Sequence, residues 1–371
     1  MTSTASCGAR QPSVASTGYF SADYVTARDR FRQAAVRAGG RVTSLALTAT
    51  GPAGEDLTID VAWFGADAPR RALVHSSGVH GVEAFPGAAI QLQRLDAGVP
   101  ALPPDAAMVV LHVLNPYGMA WLRRFNEHNV DLNRNFLDSA DAYEGAPAGY
   151  DELDGFLNPS SPPSWELFYP RAAWLIARHG MPALRQIVAG AQYVNPRGLF
   201  FGGARLEEGP RLIQRYVQDR LARVQHLVVV DVHTGLGPFG EDTVLVAADE
   251  GEPLFERMRE AFGARVSSLD PRRGPAYRVK GAYDSMYPRV LPDAVVDFVA
   301  QEFGTYNAIR VLRALRAENR WHQHGDGGLD HPTKRDLRTA FAPDDERWRR
   351  AVLDRGRIVL DQALELLRTG P

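Results

Sequence analysis

Cysteine is all but missing from this chain: Cys7 stands alone in a Ser/Thr/Ala-rich start. An internal disulfide and a thiolate metal cluster are therefore excluded, and any metal must be held by histidine and carboxylate. Lysine is scarce as well, since only Lys280 and Lys334 break a basic complement made otherwise of arginine. That bias runs through the whole chain and reads as coding composition, not as a local binding patch. Excess charge of one sign is absent too. A formal net charge of -2 gives no electrostatic case for a nucleic acid or an anionic membrane surface as partner. No stretch approaches the roughly 18 consecutive apolar residues of a membrane span. The opening MTSTASCGARQPSVAS lacks the basic and apolar regions of a secretory signal, so the expectation is a cytoplasmic protein. There is no GxSxG elbow, and Cys7 has no structured context, which leaves serine and cysteine hydrolases without a nucleophile motif.

What is present is a chain of 371 residues, 45% hydrophobic, long enough to bury a full core. Ser21 can cap a helix running to about Ala38 and stopping at Gly39-Gly40. Arg41 to Thr50 and Leu57 to Gly65 read as a β-hairpin. Short, nearly continuous apolar runs follow at residues 72–76, 107–114, 227–232, 243–248 and 294–300, as expected of strands covered on both faces. Helix patterns lie at residues 86–95, 171–189, 211–224, 253–262, 305–317 and 344–367. This alternation predicts an α/β fold, a mixed, mostly parallel twisted sheet sandwiched between helices. Residues 1–18 read as a flexible tail and 19–371 as one catalytic domain. The acidic, aromatic and Pro-rich stretch 137–170 is too long for an ordinary connection and is a candidate active-site loop.

A hydrolytic zinc site needs three protein ligands and an open position, and His, His, Glu is a standard set. His80-Gly81-Val82-Glu83 offers two of them directly after the apolar run ALVHSSG, where Pro86 can open a helix. In an α/β sheet that is the carboxyl end of a strand, where ligands bind. The spacing alone is cheap, since His128 to Asp131 matches it as well. The third candidate is His233, which closes LVVVDVH, with Asp231 two residues before it on the same side of a strand and able to orient an imidazole. Glu302 ends AVVDFVAQEFGT and is placed to take a proton from a metal-activated water. In WLRRFNEHNVDLNRNF, Arg124 and Arg134, with Asn133, offer forks suited to a carboxylate or a developing oxyanion, while the pair Arg123-Arg124 could equally be a solvated helix face.

The set HGVE, NVDLNRNF, VDVHTG and QEFGT resembles the zinc carboxypeptidase (M14) superfamily, most of all its bacterial branch built on a domain of unknown function, akin to succinylglutamate desuccinylase and aspartoacylase. The likeness runs from about Ser76 to Tyr306. It implies a carboxypeptidase-like, phosphorylase/hydrolase-type fold and one zinc ion held by His80, Glu83 and His233. It also implies Glu302 as general base and proton shuttle, and Asn133 and Arg134 as a substrate carboxylate clamp. Arg124 would serve the oxyanion, with Arg123 in reserve. Carboxypeptidases also bring a mobile tyrosine over the substrate, for which Tyr283 and Tyr287 are the residues on offer. The segment QYVNPRGLFFGG, Gln192 to Gly203, reads as a loop lining the cleft.

Two other patterns compete. Gly235 to Gly240 formally fits the dinucleotide fingerprint GxGxxG, but a proline interrupts it and GEDTVLVAA continues as a strand where a helix is required. His322, His324 and Asp326 form a possible metal cluster that reads better as a surface turn after a helix. The expected activity is hydrolysis of an amide beside a carboxylate, on a small peptide or, alternatively, an N-acyl amino acid. A binding protein that has kept the fold and lost the chemistry is the reading from another class. The sequence carries no signal for oligomeric state.

Overall fold

The structure, a computed structural model, describes residues 16–139, 142–269 and 279–370. Cys7 and the expected tail up to residue 15 lie outside them.

Eight strands form one sheet in the order β1-β2-β4-β3-β5-β8-β6-β7. They are β1 (Arg41–Thr50), β2 (Asp56–Gly65), β3 (Arg71–Ser77), β4 (Ala106–His112), β5 (His226–Thr234), β6 (Asp242–Val246), β7 (Val266–Ser268) and β8 (Val295–Phe303). The four central strands β4, β3, β5 and β8 run parallel, whereas β1, β2 and β6 join antiparallel neighbours. The helices among the described residues are α1 (Tyr24–Arg37), α2 (Ala84–Asp96), α3 (Pro116–Ala120), α4 (Tyr150–Leu157), α5 (Phe168–His179), α6 (Met181–Ala189), α7 (Glu208–Leu221), α8 (Pro253–Phe262), α9 (Met286–Val290), α10 (Ala308–His324), α11 (Pro332–Phe341) and α12 (Glu346–Thr369). None of them is long and apolar enough to cross a membrane.

The apolar runs are continuous because both faces of the sheet are covered, so side chains of alternate residues enter different cores. Val228 and Val230 of β5 pack with Phe31 of α1, Leu92 of α2, Met258 of α8 and Leu364 of α12. Their neighbours Leu227 and Val229 pack on the other face with Ile213 and Val217 of α7 and with Tyr287 of α9. The expected mixed, mostly parallel sheet between helices is what forms.

Three boundaries differ from expectation. The first helix is capped by Asp23, whose Oδ1 accepts the Thr26 N–H at 2.8 Å, so Ser21 is not the cap. Residues 171–189, read as one helix, are two: Gly180, at φ +77°, takes a backbone conformation that ends α5 and lets α6 start in a new direction. Helix α4, together with the start of α5, falls inside the stretch 137–170 that reads as irregular.

The topology sets the site. Strands β3, β5 and β8 are parallel neighbours, so their carboxyl ends share one rim of the sheet. His233 and Glu302 face each other in the β5–β8 register, and His80 follows β3 by three residues.

Candidate metal centre

His80 precedes a single 3-10 turn, Gly81–Glu83, that opens into α2. The turn is pinned by the Gly81 and Val82 N–H groups donating to the Arg124 and Arg123 carbonyls at 3.1 and 2.9 Å. Gly81 is required there, because a Cβ would overlap the backbone of Gly118 and Met119. That turn directs both HGVE donors toward β5.

The donor atoms of His80, Glu83 and His233 all lie within 4.8 Å of one another, and all three residues are buried. Glu83 Oε1 is 3.0 Å from His80 Nδ1, and Oε2 is 3.4 Å from His233 Nδ1. Each imidazole is held from behind through Nε2: His80 by Asp131 Oδ1 at 3.0 Å, His233 by Asp231 Oδ2 at 2.7 Å. Asp231 is itself fixed by the Ser76 hydroxyl at 2.7 Å, and Asp131 by Arg124 Nε at 3.0 Å. At His233 the carboxylate on the far nitrogen sets the tautomer that leaves Nδ1 as a lone-pair donor, whereas His80 Nε2 faces both Asp131 Oδ1 and Arg124 Nη2. His80 Nδ1 is buried and makes no hydrogen bond. A buried, unpartnered imidazole nitrogen beside a carboxylate and a second imidazole is the donor set that a divalent cation satisfies, so the residues fit zinc.

The electrostatics are set by burial and by close charged neighbours. The Glu83 carboxyl, although burial would raise it, is held well below its usual range by His80 and His233 with help from Arg124. Asp131 is likewise held down against its burial by Arg124, Arg134 and His80. His233, which burial alone would lower, is pushed well up by Asp231 and Glu83. Glu302 goes the other way: burial first, then the charge of Glu83, raise its carboxyl to about 7. Its Oε1 accepts the Leu236 N–H at 2.9 Å. The GxGxxG look-alike is thus the loop that fixes this carboxylate, and it leads into β6, not into a helix. Gly304 lets it close, since a Cβ there would overlap the backbone of Gly237 and Pro238.

His80, Glu83, Arg124, Asn133, Arg134, His233 and Glu302 all line one cavity of about 590 Å³. Arg124 lies against the centre, with Nη1 2.8 Å from Glu83 Oε1 and Nη2 2.7 Å from His80 Nε2. Arg134 donates to the carbonyls of Asn133 and Ala189. Both guanidinia lie over Phe200, which belongs to the loop expected to line the cleft.

Three of the residues expected at the site are elsewhere. Arg123 is completely buried away from the cavity, paired with Glu318 at 3.0 Å and with Asn129 and Asn319. Adjacent arginines point to opposite sides of the turn, so Arg124 and not Arg123 reaches His80 and Glu83. Tyr283 and Tyr287 are core residues: their hydroxyls hydrogen-bond each other, and both rings pack on Phe298. Neither stands over the cavity. Sequence reasoning missed Asp131 as the partner of His80, having taken it only as the end of a chance HxxD. Its signal was its place two residues before Asn133 in the NVDLNRNF block. His128, the other half of that match, pairs with Glu207 instead. His322 and His324 sit in the last turn of α10 and join no candidate metal group among the described residues.

Comparison with known proteins agrees with this architecture. The chain belongs to the family described as Protein of unknown function (DUF2817), whose model matches residues 20–355. No curated protein sequence matches it. Among solved structures, bovine thrombin-activatable fibrinolysis inhibitor in complex with tick carboxypeptidase inhibitor is 12% identical, with 95% of this chain and 98% of that one covered at a TM-score of 0.50. Carboxypeptidase A from Helicoverpa armigera is 14% identical over 87% of this chain and 74% of that one, with a TM-score of 0.45. Murein-tripeptide amidase from Escherichia coli O157 is 16% identical over 84% and 97%, with a TM-score of 0.36. The fold is the carboxypeptidase fold.

Proposed function

From that membership and the geometry of the rim, we propose that the protein is a zinc-dependent hydrolase that cleaves an amide bond beside a carboxylate-bearing residue, in the manner of a metallocarboxypeptidase. His80, His233 and Glu83 would hold the ion, the imidazoles by the nitrogens that face one another across Glu83. Zinc supplies Lewis acidity, which polarises a carbonyl oxygen and lowers the pKa of water to about 7.

Glu302 removes a proton from the attacking water and delivers it to the leaving nitrogen. A carboxyl that titrates near the working pH suits both transfers, and the Leu236 N–H keeps it aimed. Arg124 supports negative charge developing on the carbonyl oxygen. Asn133 and Arg134 bind the substrate carboxylate, with Arg134 oriented by the Ala189 and Asn133 carbonyls. Asp131 and Asp231 position the two imidazoles.

The observation that supports this reading most is the approach of three buried donors to within 4.8 Å, with both far nitrogens already taken by aspartates. It also counts against a binding protein that has lost its chemistry, because no ligand and no base is missing. The test is Glu302→Gln. It is expected to retain zinc and lose about 10²- to 10⁴-fold in turnover, and full activity with full metal content would remove Glu302 as the base.

A further inference from the structure

The cavity has unlike parts, one of them a polar stretch with Asp249, Glu252, Ser268 and Asp284. One end holds the metal ligands, Glu302 and the arginines. The rest of its helical wall comes from α4, α5, α6 and α10, and every lining residue these helices contribute is apolar except Arg185. Leu153, Phe156, Ala172, Leu175, Met181 and Leu312 are among them. The wall is continuous with the chemistry. Arg134 is bonded to Ala189 at the end of α6, and Val311 and Leu315 of α10 pack in one cluster with Phe200 and Phe341. A volume of about 590 Å³ is on the scale that takes a drug-sized ligand, and a lone side chain does not fill it.

A peptide lying on the helical side of the cavity would carry amide N–H and C=O groups along a wall whose own backbone groups are used within helices. Each group left unpaired there costs roughly ten- to a hundredfold in binding. A hydrocarbon chain carries no such groups and gains from every methylene buried. We propose that the acyl half of the substrate is a long aliphatic chain, about ten carbons or more, so that the protein hydrolyses N-acyl amino acids to a fatty acid and a free amino acid. The acyl C–N bond breaks, a C–O bond to the oxygen of water forms, and the proton taken by Glu302 goes to the amine. This assignment rests on the hydrolase reading of the same site.

The test separates the two. Calorimetry on the chelated protein measures binding of N-acetyl-, N-octanoyl- and N-dodecanoyl-alanine below their micellar concentrations, and hydrolysis of the same series is followed with zinc restored. Affinity is expected to tighten up to about fourfold per methylene until the chamber is full, the fold-change given by ~0.8 kcal/mol per buried CH₂. Ala172→Phe, which fills the chamber from α5, should cut the dodecanoyl-to-acetyl affinity ratio at least tenfold. Met181→Trp, at a half-buried lining position, does the same should the first variant fold poorly. Affinity that does not change with chain length overturns the acyl chamber even where hydrolysis is seen, and the hydrolase reading then survives it. Steep length dependence without hydrolysis keeps the chamber and removes the hydrolase.

Discussion

At the scale of single residues, neighbours in sequence divide the work between fold and site. Arg124 leans on Glu83, His80 and Asp131. Arg123 is locked with Glu318, which Lys334 also contacts at 2.7 Å. Burial would raise the Glu318 carboxyl, but Arg123 and Lys334 hold it below its ordinary range. Removing one member of a buried pair costs about 3–5 kcal/mol where it strands the other, and Lys334 still pairs with Glu318. Arg123→Ala is therefore expected to lower unfolding free energy by less than that, about 1–3 kcal/mol, while leaving the zinc content of the folded fraction intact, as read by urea titration and metal analysis. Native-like stability would contradict a structural role. His80, Glu83, His233 and Glu302 could be nominated because each closes an apolar run or follows one, and the resemblance of their motifs joined them into a set. Residue spacing could not separate Arg123 from Arg124 or Tyr283 from a cleft tyrosine, since which way a side chain points in a turn depends on what packs behind it. Asp131 was hidden for the same reason.

At the scale of elements, two glycines decide whether the ends of the strands can converge. Gly81 lies against the Gly118–Met119 backbone, and Gly304 against Gly237 and Pro238. Backbone cannot yield as a flexible side chain can. Gly81→Ala should therefore cost about 1–3 kcal/mol through overpacking and weaken zinc binding by tilting the turn that carries His80 and Glu83. Chelator competition and thermal unfolding read the two effects, and a variant unchanged in both would show that the turn has slack. The strands were legible because sheets covered on both faces leave unbroken apolar runs. The segment 137–189 was less so. Its helices α4 to α6 cover no sheet face and bury themselves chiefly against one another and α10, so their pattern carries no strand-helix rhythm and the chamber they enclose leaves no motif.

At the scale of the whole molecule, the order of the strands depends on pairings between distant segments that no local pattern encodes, and it is this order that brings residues 80, 233 and 302 to one rim. The same enclosed sheet buries His75 and His112 on either side of Gln91. Burial, only partly offset by Asp231 and Asp60 respectively, lowers each to about 4 from an ordinary value of 6.5. The folded chain keeps both neutral where the unfolded chain takes up protons. Stability should therefore fall as pH drops from about 6.5 towards 4, by on the order of 3 kcal/mol for each histidine. Urea unfolding across that window checks the slope, which should flatten in His75→Asn/His112→Asn; an unaltered slope would assign it to other groups. The account as a whole depends on one ion meeting three side chains from two strand ends. X-ray absorption at the zinc edge, on the zinc-loaded protein, examines that directly. One zinc per chain with two imidazole nitrogens at about 2.0–2.1 Å and carboxylate oxygen at about 2.0–2.2 Å is the predicted result, lost in His233→Ala. Zinc that fails to bind stoichiometrically, or that binds equally well without His233, would contradict it.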